Sequence, residues 1–246
     1  MNRQQTRKLS LIISLLLFPV TIYYFSPAVI INAGLEGIIN GSFIVFGFML
    51  VSAVLFGRWF CGYICPAGAL QEILFSANNK IPKQGWKNAI KYIIWTIWIS
   101  AVIFCYVKKG EITDIDFFYM TDHGVSVADI YGYIIYYVII ILIIVTALIG
   151  GKRTFCHYFC WMAPFMVIGT KIGRMLRLPV LHIAARGEGC ISCAACRKAC
   201  PMDVDIEAAA KQGKCTDTEC IQCGACIDAC PKEVLRYRMK NRRTGG

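Results

Sequence analysis

Apolar positions dominate four stretches of the chain, over about residues 9–31, 38–56, 89–107 and 130–149. Each approaches or exceeds the ~20 residues that carry a helix across a bilayer, so the pattern predicts four transmembrane helices. Pro19 falls inside the first and predicts a kink there, tolerated where neighbouring helices satisfy the freed backbone groups. After the second and fourth stretches, residues 67–75 and 164–175 place apolar side chains at helical spacing with few charges, the pattern of an interfacial helix. Beyond about residue 180 the long apolar runs give way to a cysteine-rich segment. The expected division is a membrane domain over 1–180, a small α+β domain over 181–235 and a basic tail over 236–246.

Composition agrees with a membrane class: 57% of the 246 residues are hydrophobic and the net charge is +11. The first stretch follows Arg3, Arg7 and Lys8 as a signal peptide would. Its apolar run is longer than an ordinary h-region and no small-x-small cleavage site precedes Gly34, so it is expected to stay attached. Arg58, Lys80, Lys83, Lys87 and Lys91 lie around the link between stretches two and three, and Lys152, Arg153, Lys171, Arg174 and Arg177 follow stretch four. With the basic N-terminus these belong on the cytoplasmic side by the positive-inside rule. The opposite side receives Glu36 and the acidic loop of Glu111, Asp114, Asp116, Asp122 and Asp129. Both termini and the cysteine-rich domain then face the cytoplasm at the inner membrane. Much of the positive charge flanks spans, where it reads as topology and attraction to anionic lipid rather than nucleic-acid binding. The tail residues Arg236, Arg238, Lys240, Arg242 and Arg243 read as a solvated or lipid-facing strip able to dock an acidic electron partner.

The two halves of the membrane domain repeat. Gly57-Arg58-Trp59-Phe60-Cys61-Gly62-Tyr63-Ile64-Cys65 aligns with Lys152-Arg153-Thr154-Phe155-Cys156-His157-Tyr158-Phe159-Cys160, with Arg, Phe, Cys, Tyr and Cys coincident. Because stretches two and four run the same way, the copies are expected to relate by a pseudo-twofold axis along the membrane normal. Cysteines four apart on a helix project from one face, so that axis can bring Cys61, Cys65, Cys156 and Cys160 together as one metal, cluster or dithiol site. Soft sulfur ligands select iron-sulfur clusters, zinc or Cu(I). Redox-active dithiols, transient metal binding and simple apolar packing are the alternatives.

Eight further cysteines form C-x2-C-x2-C-x3-C-P twice: Cys190, Cys193, Cys196, Cys200 and Pro201, then Cys220, Cys223, Cys226, Cys230 and Pro231. This is the bacterial two-cluster ferredoxin run, in which the fourth cysteine crosses over to the other cluster. It assigns 4Fe-4S cluster one to Cys190, Cys193, Cys196 and Cys230, and cluster two to Cys200, Cys220, Cys223 and Cys226. A zinc ribbon would use paired C-x2-C hooks without the third cysteine and proline, and a disulfide framework needs an oxidising compartment. Cys105 reads as packing and Cys215 as a free cytosolic thiol. His123, His157 and His182 lie outside the predicted spans, so no transmembrane bis-histidine haem is available. No Rossmann glycine motif or C-x-x-C-H haem site is present.

Taken together, the four spans, the Phe-Cys-Gly-Tyr-Ile-Cys-Pro-Ala-Gly-Ala-Leu run at 60–70, its partner at 155–160 and the two cysteine runs resemble the NapH, MauN and NosR group of polytopic membrane ferredoxins. The resemblance implies an electron relay at the cytoplasmic membrane, with quinol oxidation and delivery to a respiratory or maturation partner. Trp161 stands where the second copy should have proline, and the flavin-binding domain of the larger NosR-type members has no counterpart here. The expected fold is an α-helical membrane protein of four spans in two repeated units with a two-cluster ferredoxin-like domain. The expected function is transfer of single electrons between a cytosolic donor or the quinone pool and a partner redox enzyme, as a possible subunit of a quinol dehydrogenase. The alternative is a metal-handling or assembly factor using the C-x3-C cysteines; a redox sensor lacks an output domain. Trp59, Phe60, Tyr63, Tyr158 and Trp161 form an interfacial aromatic belt, with a quinone site there as a separate hypothesis.

Overall fold

The computed structural model describes residues 2–186 and 189–239. Its first apolar stretch is broken at the expected position, beside Pro19, and is bent more sharply than a simple kink. Helix α1 (Arg3–Leu16) stops just before Pro19, which starts the short α2 (Phe18–Thr21); a 3-10 turn over Ile22–Phe25 follows, and Pro27 opens α3 (Pro27–Glu36). Each proline lacks an N–H and suits the first turn of a new helix better than the interior of an old one. The axis bends by 61° between α1 and the segment over Phe18–Phe25.

Asn40 caps α4 (Gly41–Phe56) through Phe43 N at 3.0 Å. This helix is apolar but only 16 residues long, shorter than the expected second span. Beyond it lie α5 (Trp59–Tyr63), bearing Cys61, and α6 (Pro66–Ile73). Among the described residues, helices α7 (Ile90–Lys109) and α8 (Ile130–Gly150) are the two long enough and apolar enough to cross a bilayer singly. Helix α9 (Thr154–Tyr158) bears Cys156, and α10 (Ala163–Met175) packs along α4.

Strand β1 (Ile38–Asn40) pairs in parallel with β2 (Asp114–Asp116). Ser126 Oγ donates to Val20 O, and Thr113 N to Gly37 O. These bonds gather Glu36 and the acidic loop at one end of the bundle, away from both C-x3-C motifs. At the other end sits the cysteine-rich domain, built from β3 (His182–Ala185), α11 (Ala195–Ala199), α12 (Ile206–Lys211), α13 (Ala225–Asp228) and β4 (Leu235–Arg238). Strands β3 and β4 pair antiparallel, Ile183 opposite Tyr237. Arg236 and Arg238 therefore belong to the sheet, where the sequence suggested the start of a free tail; Lys240, Arg242 and Arg243 lie outside the described residues. Main-chain pairing supplies the reason, since β3 would otherwise leave a row of unpaired N–H and C=O groups.

Candidate iron-sulfur centres

The two cysteine runs fold as a pair of matching loops. Ser192 and Ala194 in the first, and Gln222 and Gly224 in the second, have left-handed backbone at equivalent positions, as do Asp203 and Glu233 behind each Cys-Pro. Non-glycine residues in this region cost about 1–3 kcal/mol each and persist where something else over-determines them, as ligand clamps do. The curl aims three thiols of each run inward. Cys190, Cys193, Cys196 and Cys230 line one cavity. Cys200, Cys220, Cys223 and Cys226 line a second, walled by Ile183, Ile206 and Ile221. Each cavity thus takes three cysteines from one run and the last cysteine of the other, the crossed donor sets that suit two cubane clusters. Cys193 is exposed, whereas Cys200, Cys223 and Cys226 are buried, so the first cavity lies near the surface and the second inside. Burial pushes the Cys200 thiol up to about 12, so its ionisation at neutral pH calls for a cation such as iron.

The C-x3-C cysteines converge. Cys61, Cys65, Cys156 and Cys160 are all buried, at 6% exposure or less. Burial raises the Cys160 thiol to about 12 and lifts Cys65 well above its ordinary range, and in each case the neighbouring cysteines of both copies add to the shift. The backbone amide of Gly68 in α6 donates toward Cys65, and those of Met162 and Ala163 at the start of α10 toward Cys160. The second cysteine of each copy therefore sits at a helix N-terminus, where negative charge is favoured. Gln71 is fully buried and donates to Cys156 Sγ at 3.0 Å while its own oxygen accepts from Phe155 N. Among the described residues no three Cys, His, Asp or Glu side chains close on a single metal ion, in the C-x3-C motifs or in the ferredoxin runs.

Buried charges surround these thiols. Arg7 bonds both oxygens of Glu72, at 2.7 and 2.8 Å, and Arg153 bonds Glu72 as well. Lys91 lies 2.7 Å from both oxygens of Glu219, and Arg58 2.6 Å from one of them. Arg58, Lys91 and Arg153 are at most 1% exposed. The sequence marked them only as topology signals, although the coincidence of Arg58 with Arg153 in the repeat pointed to more. Their partners Glu72 and Glu219, and Gln71, carried no such signal. His157 is fully buried and, among the described residues, has no hydrogen-bond partner on either ring nitrogen; burial lowers it to about 4. Cys215 is buried against the second run, its thiol lowered mainly by a hydrogen bond with Cys220. Cys105 is buried against Gly34.

The ferredoxin-like domain touches the first C-x3-C directly. A Cβ on Gly62 would stand 2.3 Å from Ile221 O and 3.4 Å from Cys223 N, so only glycine lets the two backbones meet. Arg7 Nη1 donates to Gly62 O, Gln4 Nε2 to Cys223 O at 3.0 Å, and Tyr237 Oη to Gln222 O at 2.6 Å. Of the aromatic belt, Trp161 lines an apolar cavity of about 190 Å³ with Phe18, Ile22, Phe25, Ile139 and Phe155. Its indole donates to Phe25 O at 3.0 Å.

Comparison with known proteins converges on the same residues. Two uncharacterized proteins of Methanocaldococcus jannaschii are 25% identical over 174 residues and 24% identical over 179, each match covering 68% of this chain and 60% and 68% of the relative. YccM of Escherichia coli, whose name proposes a role in electron transport, is 22% identical over 173 residues, covering 64% of this chain and 45% of YccM. The chain thus spans about half to two thirds of the length of these relatives. No solved structure matches. Residues 39–84 and 132–179 each match a family described as a 4Fe-4S binding domain, one match per copy of the repeat, and residues 182–231 match a 4Fe-4S dicluster domain. The chain carries 4Fe-4S binding domains in both its helical and its cysteine-rich parts, and these point to iron-sulfur electron transfer.

Proposed function

We propose that this protein is a membrane-bound electron relay in which single electrons pass between a cluster near the cytoplasmic surface, a second cluster inside the ferredoxin-like domain and a third centre on the C-x3-C cysteines. Cys190, Cys193, Cys196 and Cys230 hold the first cluster; Cys200, Cys220, Cys223 and Cys226 hold the second. Cys61, Cys65, Cys156 and Cys160 hold the third. The clusters supply the one-electron chemistry, and the protein tunes it through burial and hydrogen bonds to sulfur. The observation that carries the reading is the contact of Gly62 with Ile221 and Cys223, which sets the two cysteine sites backbone to backbone. Burial of all four C-x3-C thiols favours a resident centre over transient metal handling, which needs ligands open to a client. The four apolar stretches sit in the inner membrane, with the motifs and both termini on the cytoplasmic side, and the partner is a redox protein or complex.

Iron and acid-labile sulfide on anaerobically purified protein test the reading: about twelve irons per chain are expected, falling to about eight when Cys61, Cys65, Cys156 and Cys160 are changed to Ser. Eight in both would confine the clusters to the ferredoxin-like domain. Gly62→Val should keep the iron but slow electron transfer between the two regions in rapid-freeze EPR. Quinone exchange is the reading for the apolar cavity, because it reaches Pro66 and Phe155 beside the C-x3-C cysteines. If Ile139→Trp, which fills it, leaves quinone reduction by membranes unchanged, the cavity has another use.

A further inference from the structure

Two buried charge clusters flank the four C-x3-C thiols, and the repeat relates them. In one, Glu72 holds Arg7 and Arg153; in the other, Glu219 holds Lys91 and Arg58. Arg58 and Arg153 occupy the same place in the two copies. Arg7 and Lys91 stand at the starts of the first and third apolar stretches. Only the carboxylates break the correspondence. Glu72 is the seventh residue after Cys65, and the seventh after Cys160 is Val167, buried and uncharged. The missing counter-charge arrives from the ferredoxin-like domain as Glu219, the residue before Cys220.

The fields follow the same twofold. Arg58 acts on Cys61 and Cys160, and Arg153 on Cys156 and Cys65. Each guanidinium also has N–H groups left over: among the described residues Arg58 Nε and Nη2, and Arg153 Nε, are buried without a well-formed hydrogen bond, and Arg58 reaches toward the Cys61 thiol. With two cations and one carboxylate in each cluster, the pair carries an excess of two positive charges, and Arg58, Lys91 and Arg153 are at most 1% exposed. Uncompensated buried charge and orphaned buried donors are both costly. Protonated thiols or disulfides would leave that excess unmet. A four-iron, four-sulfide core on four thiolates carries a formal charge of two minus when oxidised, and one more when reduced.

We infer that Arg58 and Arg153 are the charge-compensating residues that set the potential of a four-thiolate centre on Cys61, Cys65, Cys156 and Cys160, and that Glu219 replaces the carboxylate the second copy lacks. The inference rests on the third-cluster reading above. Excess positive charge favours the reduced, more negative form. Removing these arginines should therefore lower the centre's potential.

The test is an EPR-monitored redox titration of the full chain, with iron analysis of every sample. Arg153→Gln and Arg58→Gln lower the midpoint of the third centre by at least about tenfold in its reduction equilibrium, ~59 mV for a one-electron couple. Glu219→Gln raises it by a similar amount. A purely structural role predicts no such opposition of sign. Arg58→Lys and Arg153→Lys keep the charge and hold the midpoint near wild type. Where an Arg→Gln variant loses the centre, Glu219→Gln decides alone. About eight irons in the wild type overturns the third cluster and the inference with it. About twelve irons with an unmoved or lowered midpoint in Glu219→Gln overturns the inference and leaves the cluster standing.

Discussion

Glu72→Gln isolates the energetic weight of the charge layer. Glu72 is the one carboxylate between two buried guanidiniums, with side-chain exposures of 11% for Glu72, 6% for Arg7 and 0% for Arg153. Solvent screening is therefore weak. Burial alone would raise this carboxyl, but Arg153 and Arg7 overcome it and hold the group at about 2 against an ordinary 4.5. At about 1.36 kcal/mol per unit that difference is worth roughly 3 kcal/mol at neutral pH. The figure agrees with the ~3–5 kcal/mol lost when one partner of a buried ion pair is removed, and is large against a typical total of about 5–15 kcal/mol.

Because the folded value lies below the unfolded one, this stabilisation is complete above about 4.5 and drains away as pH falls toward about 2. The assay is unfolding in a denaturing-detergent titration, followed by tryptophan fluorescence, for wild type and Glu72→Gln across the acid range. The variant is expected to lose about 3 kcal/mol at neutral pH, with the two curves converging on acidification. A loss below about 1 kcal/mol, the range of exposed pairs, or a gap unchanged by acid would refute the argument.

Other outcomes follow from single contacts. Gly68→Ala places a Cβ 2.1 Å from Arg153 Nη1; it should cost about 1–3 kcal/mol by overpacking and release iron from the C-x3-C centre before the other two. Cys200→Ser should extinguish the EPR signal of the cluster bound by Cys220, Cys223 and Cys226, while Cys230→Ser should extinguish the other; loss of the signal belonging to its own run in either variant would undo the crossed assignment. Tyr237→Phe removes the hydrogen bond to Gln222 O and should lower the thermal midpoint by the equivalent of about 0.5–1.5 kcal/mol with all clusters retained.

Legibility in the sequence tracked the range of the interaction concerned. The cysteine spacings, the internal repeat and the helices after each C-x3-C rest on periodicity and local backbone preference, which neighbouring residues express without help. The first apolar stretch reads differently in three dimensions because hydropathy counts side chains and ignores missing donors. Pro19 and Pro27 each lie in the first turn of a new helix, so the expected span is broken into three α-helices and a 3-10 turn. Arg236 and Arg238 could not be seen as strand residues, since their pairing partner begins at His182, more than fifty positions earlier.

The sequence by itself determined the chemistry: twelve cysteines in two kinds of motif, the repeat that relates four of them, and the apolar stretches that carry them. Spacing sufficed there, because three thiols of one loop can reach one cluster through local geometry alone. The tertiary structure decided what surrounds those thiols. Arg58, Lys91 and Arg153 read as cytoplasmic markers in the sequence and are interior charges in the fold. Glu219 meets Arg58 and Lys91 only because Gly62 lets the second cysteine run lie against the first C-x3-C motif. Electrostatic energy depends on distance and on exclusion of water, and neither is written in the order of residues along the chain.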